Sequence, residues 1–124
     1  MPTGNNDLFS FDKITHAEGI ISTILRINPE SEILKGHFPG QPVVPGACML
    51  QIIKEVLESA LNHPLMLKKA AQLKFMIMIK PANTLTIALD VSYKYAEDGA
   101  VSVSAKLSNP DALYCKFVGS FIKE

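Results

Sequence analysis

The sequence predicts an α+β domain, an antiparallel sheet covered by one long helix. Three observations predict it. Residues 45–62 place apolar side chains at three- and four-residue steps, the stretches after them alternate apolar with polar residues, and 124 residues suffice for one core but not two. A single amphipathic helix can bury one face of an antiparallel sheet, which is the economical solution for that element order.

Each element has its own warrant. Residues 1–10 are polar and carry Pro2, Gly4, Asn5 and Asn6, which predicts a flexible arm at the start of a single domain spanning 1–124. Ile20 to Ile27, IISTILRI, is β-branched and reads as a strand ended by Asn28-Pro29. Pro45 suits the first turn of a helix, because its missing N–H would be unpaired there anyway. Within the helix Met49, Ile52, Ile53, Val56, Leu57, Ala60 and Leu61 share one side, with Gln51, Lys54, Glu55, Glu58 and Asn62 on the other. His63-Pro64 stops it. Residues 71–80, AQLKFMIMIK, alternate with Leu73, Phe75, Ile77 and Ile79 on one face. TLTIALDV, AVSVSAKL and ALYCKFVGSFI repeat the alternation across turns at Pro81-Ala82-Asn83, Glu97-Asp98-Gly99 and Asn109-Pro110-Asp111.

Twelve Lys plus Arg balance twelve Asp plus Glu, so no global field draws the chain to nucleic acid or to an anionic membrane. Cys48 and Cys115 lie far apart and, with three histidines, make no metal-site spacing; free thiols in a reducing compartment are expected. The start MPTGNNDLFSFDK lacks a basic segment followed by an apolar core, and no later stretch reaches ~18 apolar residues. A cytoplasmic protein is the expectation.

The chemistry concentrates in GHFPGQPVVPG, Gly36 to Gly46, which sets one histidine among three prolines and three glycines directly before the helix. His37, Phe38, Pro39, Gly40, Pro42, Pro45 and Gly46 together match H-F-P-G-x-P-x-x-P-G. In this motif, and in the order strand, motif, helix and four strands over residues of roughly 10–122, the chain resembles the hotdog-fold 3-hydroxyacyl-acyl-carrier-protein dehydratases of type II fatty acid synthesis. The resemblance implies a hotdog fold, the sheet wrapped around the helix. It further implies dehydration of (3R)-3-hydroxyacyl groups on acyl carrier protein to trans-2-enoyl groups, in fatty acid or related lipid and polyketide synthesis.

Such an elimination needs a base for the C2 proton, an acid for the departing C3 hydroxyl and donors for the charge developing on the thioester oxygen. By the resemblance, His37 is the base, held by the backbone carbonyl of Val43, and the N–H of Gly46 is the oxyanion donor. An imidazole with an ordinary pKa of about 6.5 is largely neutral at cytoplasmic pH, and a helix N-terminus presents unpaired N–H groups and partial positive charge. Phe38 and Pro45 complete the binding loop. No metal or redox cofactor is implied, the substrate being carried on the phosphopantetheine of acyl carrier protein. His16 and His63 have no motif around them and read as ordinary polar residues.

The family places a Glu or Asp fourteen positions after the histidine, facing the neighbouring subunit's histidine as the acid. Here that position is Gln51, and an amide does not give up a proton at useful pH. The departure leaves three readings open: a dehydratase weakened by ~10²- to 10⁴-fold, a non-catalytic carrier-binding accessory subunit, or a thioesterase on the same fold. Glu55 lies one turn further along, ~6 Å away on the axis, and is the nearby carboxylate that could substitute. Met66, Met76 and Met78 with Phe75 are candidates for an acyl tunnel or for ordinary core and interface positions. Lys68, Lys69, Lys74 and Lys80, with Lys35 beside the motif, form a candidate docking patch for acyl carrier protein, which is acidic. A homodimer with shared sites is expected, a higher oligomer being open.

Overall fold

A computed structural model describes residues 8–11, 13–32, 44, 46–80 and 86–123. The elements run β1 (Phe9–Ser10), β2 (Ile14–Ala17), β3 (Ile20–Ile27), α1 (Gly46–Leu61), β4 (Leu65–Phe75), β5 (Thr86–Tyr95), β6 (Val101–Asn109) and β7 (Ala112–Lys123). The strands form one antiparallel sheet ordered β1-β3-β5-β6-β7-β4, with β2 also paired to β3. The sheet curls around α1, the hotdog arrangement that the resemblance implied.

The core follows from two periods meeting. On α1, Met49, Ile52, Ile53, Val56 and Leu57 are buried. Facing them, alternate strand positions are buried: Ile21, Leu25 and Ile27 on β3; Ile87, Leu89 and Val91 on β5; Val101, Val103, Ala105 and Leu107 on β6. Cys115, Phe117 and Phe121 add the face of β7, the two phenyl rings lying 5.9 Å apart in a tilted pair.

The helix ends where the sequence predicts. Asn62 takes the left-handed conformation at φ 63°, and its N–H donates to the Glu58 carbonyl at 2.8 Å. One assignment on the helix is corrected: Glu58 is 7% exposed and belongs to the interior. Its carboxylate accepts the backbone N–H of Leu65 at 2.7 Å, tying the end of α1 to the first residue of β4. Lys54 lies 4.0 Å from the same carboxylate.

Three strand expectations are also corrected. The arm through residue 10 is not free at its end, because Phe9–Ser10 pairs with Ile27 and Arg26 while Leu8, Phe9 and Phe11 are buried; residues 1–7 lie outside the described residues. A hairpin precedes Ile20: β2 returns into β3 through Glu18-Gly19, both at positive φ (52° and 79°), the pattern of a two-residue type I′ turn. Third, the strand after the helix is Leu65–Phe75 rather than 71–80. Its pairing with β7 skips Lys68 and Ala71, so two bulges interrupt the alternation that would have announced it. Pairing stops at Phe75 opposite Cys115. Beyond that, Met76 and Ile77 are exposed instead of alternating into a core, and Ile79 alone of this segment is fully buried.

Candidate functional site

The site is built where the segment leaving β4 passes the start of α1. Val44 is buried, and its N–H donates to the Ile79 carbonyl at 2.9 Å, so the end of the motif loop is pinned to the stretch after β4. Two residues on, Gly46 opens α1, and the first turn carries no acidic side chain to offset its positive end. A Cβ on Gly46 would lie 2.7 Å from Cζ of Phe75 and 3.0 Å from its Cε2. The ring of Phe75 stands against the glycine, and a methyl group there would push it aside.

Of the residues assigned from sequence, His37, Phe38, Val43 and Pro45 lie outside the described residues, as does Lys35. Gly46 and Phe75 are brought together. Gln51 is exposed, away from the buried Met49, Ile52 and Ile53, and five residues from Gly46, ~7.5 Å along the axis. Glu55 is half-buried. Phe75, Met76, Ile77 and Met78 form a continuous exposed apolar run at this end, from 43% for Met76 to 68% for Met78. Met66 and Leu67 are exposed on the same strand, which closes the sheet at an edge. The core reading of Met66, Met76 and Met78 is therefore corrected. They are surface in this chain, Met76 and Met78 in an exposed apolar run that calls for a partner.

Lys68 and Lys69 separate in role. Lys68 is the extra residue of the first bulge, and its Nζ donates to Asp98 Oδ2 at 2.8 Å, a contact that holds the Asp98 carboxyl below its usual range, aided by the Ala100 N–H. Its charge is already answered, although as an exposed pair it adds little stability. Lys69 pairs in register with Ser120 and is exposed on the outer sheet face. Both cysteines are free. Burial pushes the Cys48 thiol up and that of Cys115 up to about 11, so at neutral pH both stay protonated, unsuited to nucleophilic attack.

Two depressions, of about 440 Å³ and 300 Å³, lie on the outer face of the sheet and include neither Gly46 nor Gln51. Among the described residues near the helix start, Phe75, Met76, Ile77 and Met78 present exposed apolar surface. Among the described residues no helix is long and apolar enough to cross a membrane.

Comparison with known proteins points one way. Residues 13–109 match the family model described as ApeI-like, ApeI dehydratase. The 3-hydroxyacyl-[acyl-carrier-protein] dehydratase FabZ of Levilactobacillus brevis is 23% identical over 103 residues, 77% of this chain and 69% of that protein. Among solved structures, the dehydratase heterocomplex ApeI:P from Xenorhabdus doucetiae superposes with a TM-score of 0.72 at 17% identity, covering 93% of this chain and 98% of that one. A conserved protein from Pseudomonas aeruginosa gives 0.66 at 13% identity, covering 92% and 88%.

Proposed function

This chain belongs to the ApeI-like dehydratase family, and on that premise we propose that it dehydrates a 3-hydroxyacyl thioester carried on acyl carrier protein. The observation that carries the reading is the complete HFPGxPxxPG motif running into Gly46, the first residue of a helix whose positive end has no acid in its first turn. His37 removes the C2 proton, and the C3–O bond breaks as the C2=C3 bond forms, the departing hydroxide taking a proton from solvent to leave as water. The charge on the thioester oxygen is met by the Gly46 N–H. Phe38, Val43 and Pro45 hold the ring and the acyl chain, while Phe75 and the run beside it offer the chain an apolar surface. The chemistry calls for no metal or redox cofactor.

Gln51 is the weak point, and its position supports a site shared between subunits. An exposed residue on the side of α1 away from its own core would reach a substrate through a second subunit, and β4 offers the edge on which two sheets can join. A homodimer is therefore expected by sedimentation at micromolar concentration; a monodisperse monomer there would count against shared sites. Lys69 is the cation of the two assigned to the carrier whose charge no described partner answers.

The reaction is tested by incubating the protein with 3-hydroxyacyl carrier protein and following the products by mass spectrometry. The 2-enoyl thioester supports the reading, free thiol would make it a thioesterase, and binding without turnover would make it the accessory subunit that Gln51 favours. Gln51→Glu is nearly isosteric and supplies the missing proton donor. It should raise the rate of enoyl formation about tenfold or more, below the full general-acid contribution because the surroundings did not evolve to keep that carboxyl protonated. No gain in a folded, substrate-binding variant would move the acid elsewhere, and Glu55→Gln abolishing turnover would identify it.

A further inference from the structure

We propose that the outer face of the sheet, over β5, β6, β7 and β4, docks an acidic helix of a partner protein. Strand register sets this surface, independently of the reaction proposed above. Register sets Lys106 of β6 opposite Lys116 of β7, and Lys116 opposite Lys74 of β4. All three are exposed. With neighbouring strands ~4.8 Å apart, three amino groups line up over ~10 Å. Like charges placed directly opposite each other destabilise a sheet. Asp90 of β5 stands opposite Lys106 at the end of the row, but its carboxylate accepts the Ser22 hydroxyl at 2.9 Å. Among the described residues none of the three lysines has an ion pair.

A second row lies four residues along the strands, with Lys94 and Lys69 at its ends and Ser102 and Ser120 between them. Between the rows lie Ser92, Ser104, Val118 and Gln72. The two outer depressions meet here, sharing Ser92 and Ser104. Four residues of strand separate the rows by ~13 Å, and an α-helix with its side chains is ~10–12 Å across. A helix seated in the trough would place carboxylates on both flanks within reach of lysines. A charged face of this size on a chain of zero net charge suits a short acidic element rather than a nucleic acid, which is met by an extended basic surface.

The probe is a fluorescein-labelled, alanine-based helical peptide of about twenty residues with glutamates along both flanks, compared by anisotropy with the same peptide carrying Gln for Glu and with a dT20 oligonucleotide. The acidic peptide should bind at least about tenfold more tightly than its Gln counterpart, and more weakly as salt rises. Lys116→Glu should lower that affinity about tenfold or more while raising the melting temperature, since an acid then stands between Lys106 and Lys74. The proposal is overturned if the two peptides bind alike, if dT20 binds more tightly than the acidic peptide, or if Lys116→Glu leaves the affinity unchanged.

Discussion

Gly119→Ala is expected to lower the melting temperature by roughly 10 °C, the result of about 3 kcal/mol of overpacking in a chain of this size. Gly119 sits in β7 opposite both Val103 of β6 and Ala70 of β4. A Cβ there would run into the backbone oxygen of Lys69 and lie 2.6 Å from Cζ of Phe117. Neither neighbour can yield cheaply. The carbonyl belongs to the bulged stretch of β4 between Lys68 and Ala71, and Phe117 is wholly buried. Relief would come from lifting β4 off β7, and β4 carries Phe75 onto Gly46 and forms the sheet edge. The loss should therefore appear in stability and in self-association together, checked by calorimetry and sedimentation. A melting temperature within a degree of wild type would mean that the close approach of β4 is absent in solution.

That same stretch of β4 marks where the sequence stops being readable. α1 was legible because its core contacts repeat at the helical period, and β5 and β6 because their inner faces alternate without interruption. In β4 the bulges at Lys68 and Ala71 break the period of two, while the alternation of residues 72–79, which looks like a strand, runs past the point where pairing ends. The lysine row was hidden by a comparable event. A two-residue turn at Pro110-Asp111 with regular pairing would set Lys106 opposite Cys115; the irregularity between Leu107 and Ser108 moves it opposite Lys116. Glu58 was misassigned because its acceptor role depends on the N–H of Leu65, seven residues away across the turn. At the candidate site, Gly46 could be read from its place before the helix, whereas the ring that fills the space beside it comes from position 75, with no local signal linking the two. The partner of Lys68 was equally distant, thirty residues on at Asp98.

His37→Ala is expected to lower enoyl formation by about 10²- to 10⁴-fold while leaving the melting temperature close to wild type. The stability half of the expectation follows from where the core is. Among the described residues the buried cluster is drawn from α1 and the inner strand faces together with Leu8, Phe9, Phe11, Val44 and Ile79. The loop carries Pro39, Pro42 and Pro45, whose fixed φ angles do not depend on the side chain at 37. The kinetic half follows from the base acting in its neutral form. In wild type the rate should rise with pH as the imidazole loses its proton, and that limb should vanish in the variant. Combining the two site variants separates base from acid. Gln51→Glu should restore nothing to His37→Ala, because a proton donor for the hydroxyl cannot begin an elimination in which the C2 proton has no acceptor. If His37→Ala turns over 3-hydroxyacyl carrier protein as fast as wild type, His37 is not the base; if the double variant regains activity, the carboxylate at 51 is doing the proton abstraction and the roles assigned to the two positions are reversed.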